Sequence, residues 1–229
     1  MRLLTLLLSI PVILFSAEKG LVVSRHAGAD FALTADPDAK QWKDIPGVFA
    51  DRGPQGQKPP VPPTEFRSRW TTKNIYFLFI CPYRSLYLKS DPVTDRETNK
   101  LWDWDVAEVF IGTDPAHIRQ YEEFEVSPQG EWVDLDIDRD SPKPAGGVNW
   151  DSGFQVKARI DEENKVWYAE MRIPMEALGI PKPKEGQEMR VNLYRIEGRP
   201  QDRLLVSWQP TGAPSFHVPE AFGKLRLGP

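Results

Sequence analysis

Proline interrupts this chain too often for long helices to survive in it. Twenty-two prolines stand among 229 residues, against 16 glycines. Inside a helix each would remove a backbone donor and clash with the preceding turn. A chain so punctuated suits many short strands joined by stiff loops. Strand-like runs are expected at residues 64–70, 74–81, 105–111, 120–126, 130–138, 153–160, 166–173, 189–196, 204–208 and 224–227. One short helix is expected near 174–179, with Pro174 in its first turn and Gly179 as its stop. The fold class is therefore all-β, a single-domain antiparallel β-sandwich. The turn at residues 36–41 should feed Trp42 into the fold as an aromatic anchor, and residues 51–63, rich in Gly, Pro and Gln, should be a loop.

Charge and cysteine content exclude several roles. The net charge of −4 leaves no basic stripe to neutralise phosphates, so nucleic acid is not an expected partner. The one cysteine, Cys81, allows no intrachain disulfide. It ends an apolar strand with no histidine close by in sequence, which suits a core residue better than a nucleophile. Residues 1–17 read as a signal peptide: Arg2 supplies the charge and residues 3–15 the apolar region. That run is too short, and too broken by Pro11, for a membrane span. No stable span is expected after cleavage, and the mature protein is expected to be secreted or periplasmic. Residues 18–29 read as a linker and 30–229 as the folded domain.

Alternation is clearest at residues 130–138. Val133, Leu135 and Ile137 should share one face, and Trp132, Asp134, Asp136 and Asp138 the other. The turn at residues 127–130 should reverse the chain. If Val126 then pairs with Glu131, Phe124 faces Val133 on the core side. Glu123 then opposes Asp134 and Glu125 opposes Trp132 on the other side. A slip of one residue would turn every side chain over.

Chemistry concentrates at residues 101–112, Leu-Trp-Asp-Trp-Asp-Val-Ala-Glu-Val-Phe-Ile-Gly. Strand geometry puts Val106, Glu108 and Phe110 on one face and Ala107, Val109 and Ile111 on the other. Glu108 thus sits between apolar residues on a face that should be covered, and a buried carboxylate needs a partner. Either an arginine (Arg67, Arg69 or Arg195) supplies an ion pair, or the carboxylate accepts hydrogen bonds from ligand hydroxyls. Trp102 and Trp104 precede the strand in an acidic loop. Each is either a packing plug or a platform against which the C–H face of a pyranose could stack.

The same segment carries a family resemblance. Trp102, Asp105, Glu108 and Phe110 form a Trp-x-x-Asp-x-x-Glu-x-Phe pattern that resembles the family 9 carbohydrate-binding modules. Four further stretches are similar in the same order: 74–79, 121–130, 166–174 with its W-x-x-E-x-x-I-P pattern, and 216–227 with its closing P-x-x-F-G-x-L-x-L. Together they cover roughly residues 30–227. The resemblance implies a jelly-roll sandwich that binds a mono-, oligo- or polysaccharide without cleaving it, with structural calcium. It implies that Trp102 matches the first of two sugar-sandwiching tryptophans and that the second falls at Phe216. Glu108 matches a glutamate that binds sugar hydroxyls. Glu125 stands where the family carries an arginine, which reverses the charge there. Asp105 belongs to the motif, and His217 adjoins the platform at Phe216, so the candidate carbohydrate-binding set is Trp102, Asp105, Glu108, Glu125, Phe216 and His217. Asp91 and Asp95 are the candidate calcium ligands, although no EF-hand spacing is present, and the acidic strands at 120–126 and 130–138 offer a second cation site.

Three other classes compete. A glycoside hydrolase would use two carboxylates, from Glu108, Glu125 and Asp134. A haem-binding sandwich would need a Met or His pair facing a pocket, for which Met171 and Met175 are the candidates. A protein-interaction sandwich would use the aromatic loops as its interface. His26 and His117 read as surface residues, with no zinc-ligand spacing.

Overall fold

A computed structural model describes residues 20–141 and 150–229. The proposed signal peptide at 1–17 lies outside the described residues. Twelve strands run in order: β1 (Leu21–His26), β2 (Val48–Ala50), β3 (Thr64–Trp70), β4 (Asn74–Pro82), β5 (Val106–Gly112), β6 (Gln120–Val126), β7 (Trp132–Asp138), β8 (Gln155–Asp161), β9 (Val166–Pro174), β10 (Glu188–Glu197), β11 (Leu204–Ser207) and β12 (Gly223–Leu227). One sheet has the order β7-β6-β5-β10-β12-β1, with β11 added beside β10. The other has the order β1-β3-β4-β9-β8, with β2 added beside β3. The fold is a β-sandwich of jelly-roll character.

One sequence expectation fails at the first strand. Residues 18–29 were expected to be a linker, yet Leu21–His26 is the strand that joins the two sheets. Its first half, Leu21–Ser24, pairs with β12, and Arg25 and His26 pair with β3. Both pairings are parallel, whereas every other pairing in the two sheets is antiparallel. Short polar residues at Ser24 and Arg25 weaken the local strand signal, and the pairing partners lie far off in sequence. Nothing local could announce them.

A second expectation fails at 174–179. Pro174 ends β9, and the chain then makes successive turns in which Ala177, Leu178 and Gly179 donate to Pro174, Met175 and Glu176. Gly179 is left-handed at φ 69°, so the stop is where it was expected, but no α-helix precedes it. Short 3-10 turns stand instead at Leu101–Asp103 and Pro219–Ala221.

The space between the sheets is filled by Ala107, Val109, Ile111, Phe124, Val191 and Leu193 from one side and Phe66, Phe77, Phe79, Trp167, Met171 and Ile173 from the other. β4 is apolar almost throughout because both its faces are covered. Ile75, Phe77, Phe79 and Cys81 join the core, while Tyr76 and Leu78 pack with Trp42 outside it. Trp42 is fully buried, and its Nε1 donates to Glu170 at 2.9 Å. Glu170 also accepts from the amides of Thr34 (2.6 Å) and Ala35 (2.8 Å). With the Thr34 hydroxyl at 3.2 Å, one carboxylate therefore receives four donors of the segment ahead of β2. Burial and desolvation push the Cys81 thiol up to about 12, in keeping with its core role. Met171 and Met175, the candidates for a haem ligand pair, are buried in the same core.

The outer face of the first sheet carries a second apolar cluster: Val106, Phe110, Tyr121, Val133, Leu135, Ile137, Tyr194, Ile196, Phe216 and Phe222. It is covered by the segment following β11, and β10 holds that cover. Arg190, Asn192 and Tyr194 alternate along β10 on one face. Arg190 Nη2 donates to the carbonyls of Pro219, Glu220 and Phe222, Asn192 Nδ2 to that of Gln209, and Tyr194 Oη to that of Phe216.

Candidate functional site

The hairpin between β6 and β7 decides which side chains reach this outer face. Ser127 N donates to Glu131 O at 2.9 Å, and Gly130, at φ 89°, donates back to Ser127 O at 3.1 Å. The loop proper is thus three residues long, with a left-handed glycine closing it. Val126 pairs with Trp132, not with Glu131. This one-residue slip overturns the expected facing. Phe124 lies in the inter-sheet core opposite Asp134, while Glu125 opposes Val133, Glu123 opposes Leu135 and Tyr121 opposes Ile137. Asp134 consequently points away from Glu108 and accepts the Ser152 amide at 3.1 Å and its hydroxyl. It does not join the carboxylate pair the hydrolase reading required of it.

The facing expected for β5 is observed: Ala107, Val109 and Ile111 enter the core, and Val106 and Phe110 the outer cluster. Glu108, on the outer face, stands directly opposite Glu125. None of the arginines considered for Glu108 reaches it. Arg195 Nη2 donates to Glu197 at 2.6 Å, Arg67 Nε to Glu65 at 2.6 Å, and Arg69 to the carbonyls of Gln41 and His26.

A groove of about 540 Å³ opens on this face, lined by Trp102, Glu108, Phe110, Glu123, Phe216 and His217 among others. Four of the six candidate residues meet there. Trp102, in the 3-10 turn that ends ahead of β5, is half-buried, while its neighbour Leu101 is fully buried and anchors the turn. Phe216 is 7% exposed and stacked on Tyr194, with ring centroids 4.0 Å apart at 15°. His217 Nδ1 is hydrogen-bonded to Tyr121 Oη at 2.7 Å and stands 4.0 Å from Glu123 Oε2. The other two candidates do not line the groove. Asp105 is fully buried and accepts the Gly198 amide at 2.7 Å, while its own amide donates to Tyr87 O. It pins the entry to β5 and so holds the turn bearing Trp102. Glu125 lies deeper than the lining, with no accessible surface.

Electrostatics set this face apart. Burial pushes Glu108 and Glu125 well above the usual carboxylate range, and neighbouring carboxyls push them further. Burial raises Glu123 to about 7. Burial lowers His217 to about 4, so its imidazole is neutral near pH 7. Glu123 was absent from the candidate set, although its place two residues before Glu125 on one strand puts it on the same face. Leu135 and Ile137, also in the lining, were hidden by the register error.

Asp91 and Asp95 are exposed, and Asp95 contacts Arg96 at 3.5 Å. Among the described residues no group of three or more His, Cys, Asp or Glu side chains could hold a metal ion. His117 is exposed and paired with Asp114 at 2.8 Å, while His26 packs on Trp70.

The sequence pattern of the carbohydrate family 9 binding domain-like group matches residues 38–228. The chain belongs to this family. A relative named as an extracellular protein of Arthroderma benhamiae is 25% identical over 196 residues, covering 80% of this chain and 86% of that one. Among solved structures, a Bacteroides uniformis protein provisionally named as carbohydrate-binding superposes with a TM-score of 0.71 at 18% identity, over 90% of this chain and 98% of the other. A family 9 carbohydrate-binding module from Caldicellulosiruptor kristjanssonii in complex with cellotriose superposes with a TM-score of 0.62 at 14% identity, over 91% and 93%. At such identities the superpositions speak for the fold. The family's match begins ahead of β2 and ends within one residue of the end of β12, so it spans the groove and every strand that lines it.

Proposed function

We propose that this protein is an exported, non-catalytic carbohydrate-binding protein, and that the groove on the outer face of the first sheet is its sugar site. The observation that carries this reading is the company of Trp102 and Phe216 with the carboxyls of Glu108 and Glu123 in one groove lining. An aromatic face covers the C–H face of a pyranose, and carboxyl oxygens accept from its hydroxyls. His217, held neutral, adds a nitrogen that can donate or accept according to tautomer. Family membership and the cellotriose complex of a structural relative support the same reading. Export rests on the signal-like residues 1–17 and on the extracellular relative. Among the described residues no helix is long and apolar enough to cross a membrane.

Calorimetric titration of the chain with glucose, cellotriose and other β-linked trisaccharides, followed also by tryptophan fluorescence, tests the proposal. Saturable binding that is lost in Trp102→Ala is expected. A folded protein that answers to none of these sugars overturns it.

Glycan hydrolysis is a second reading, because two carboxyls with raised proton affinity line one groove. A glycosidase needs one carboxyl protonated and its partner ionised. Here burial moves Glu108, Glu123 and Glu125 in the same direction, so that contrast is not built in. Turnover of a glycan by the chain, abolished in Glu108→Gln, would promote hydrolysis over binding.

A further inference from the structure

We propose that the sugar this groove is built for carries a positively charged amino group, received by the carboxyls of Glu108 and Glu123 in the lining, with the Glu125 carboxyl directly behind them. The inference rests on the carbohydrate reading above and names the class of ligand.

The three carboxyls occupy adjacent places on two paired strands. Glu108 is directly opposite Glu125, and Glu123 is opposite Phe110, one face-position along. Their residues are 2%, 0% and 4% exposed. Among the described residues no N–H or hydroxyl donor reaches either oxygen of Glu125, or Oε2 of Glu123. Glu123 and Glu125 meet carboxyl to carboxyl, a contact that requires a proton between them, and Glu123 Oε2 also stands 4.0 Å from His217 Nδ1. Structural carboxylates elsewhere in this fold are treated differently: Glu170 receives several donors and Glu197 an arginine. Among the described residues, both oxygens of Glu125 and Oε2 of Glu123 receive neither.

A neutral sugar hydroxyl brings one donor and no charge, so the trio would stay protonated or stay uncompensated. An ammonium brings three donors and the missing positive charge in one group. The aromatic rings of Trp102 and Phe110 in the same lining also favour a cation over a neutral group. The arginines near the groove do not take this place. Arg139 lines it but is exposed, and the half-buried Arg203 spends Nη2 on the carbonyl of Asp103. The groove thus carries carboxyls on its floor, with Asp138 and Arg139 side by side in its lining.

Three β-1,4-linked trisaccharides of one backbone separate the outcomes: the glucosamine trimer, its fully N-acetylated counterpart, and cellotriose. They differ at C2, which bears an ammonium, an acetamide or a hydroxyl. In calorimetry near neutral pH the purified chain should bind the amine trimer at least about tenfold more tightly than either other sugar. Binding should release protons, so the measured heat should vary with the ionisation enthalpy of the buffer. Glu123→Gln and Glu125→Gln, each checked for folding by circular dichroism, should cut the preference for the amine about fivefold or more. An amine trimer bound no better than cellotriose overturns the inference and leaves the sugar site standing. So does a preference that survives both substitutions. Failure of all three trisaccharides overturns the sugar site itself.

Discussion

Glu108 and Glu125 face one another directly across β5 and β6, at 2% and 0% exposure, and Arg203 offsets part of the charge on Glu108. Like charges directly opposed on a sheet destabilise it. The protein accommodates the pair by keeping protons on it. These protons have a thermodynamic consequence. Over the pH range between the unfolded and folded values of these carboxyls, the native state binds more protons than the unfolded chain, so stability falls as pH rises.

His217 works in the opposite sense, because its folded value is lowered to about 4. Its contribution is complete above its unfolded value of about 6.5. From about pH 6.5 to about 8.5 the pair acts together with Glu97, raised to about 8, and Glu122 and Glu123, raised to about 7, all in the same sense, and Tm should decline. Glu125→Gln, which imitates the protonated acid, should flatten that decline. It should also raise Tm by about 3–8 °C at the alkaline end, for about 1–2 kcal/mol gained. Thermal melts across the pH series check both. A Tm that is flat or rises over that range would contradict the protonated pair.

The two aromatic residues of the groove should separate under mutation. Phe216 is buried and stacked on Tyr194, so Phe216→Ala should cost about 3 kcal/mol of stability. Trp102 is half-buried at the groove, so Trp102→Ala should cost about 1 kcal/mol while lowering sugar affinity by about tenfold or more. Denaturant melts paired with titrations measure both columns. A Trp102→Ala protein that binds normally would remove Trp102 from the site.

Glu170 should be the most sensitive carboxylate in the molecule. It is fully buried and accepts from the amides of Thr34 and Ala35 and from Trp42 Nε1. Glu170→Ala strands those donors, at about 3 kcal/mol or more. Urea unfolding should show the loss, and hydrogen exchange should show residues 34–42 opening first. An unchanged midpoint would mean the anchor is not needed.

Gly130 holds the β6–β7 register from φ 89°. Gly130→Ala has open space for its methyl but a left-handed backbone to hold, so about 1 kcal/mol should be lost. Gly130→Asn, which tolerates that region, should lose less. Chemical denaturation of the two variants side by side gives the comparison.

Cys81 is fully buried with a thiol pushed up to about 12. It should resist thiol reagents in the native protein and react fully in denaturant. Rapid labelling of the native chain would place it outside the core.

Much of the architecture was legible because strand signals are local. Proline spacing, the alternation of 64–70 and 105–111, and the apolar run of β4 report burial directly, since each side chain's exposure follows from its own strand period. The five motifs likewise brought Trp102, Glu108 and Phe216 to one list by residue type alone. Glu170 carried a readable clue as well, as a lone carboxylate in the apolar strand β9.

Residues 21–26 were not legible, because a strand that pairs in parallel with β12 and β3 draws its stability from partners at the far ends of the chain. The facing of β7 was not legible either. Whether Ser127 or Val126 forms the last pair before the turn depends on one left-handed glycine, and both loops are compatible with the same residues. That one-residue choice moved Leu135 and Ile137 to the groove and sent Asp134 behind the sheet, while the separate register of β5 on β6 set Glu125 opposite Glu108. Sequence determined that this chain would be a strand-rich sandwich carrying tryptophans and carboxyls near one strand. Only the tertiary structure decided which carboxyls meet, because the hydrogen-bond register between strands, and not the residues within them, sets the faces they share.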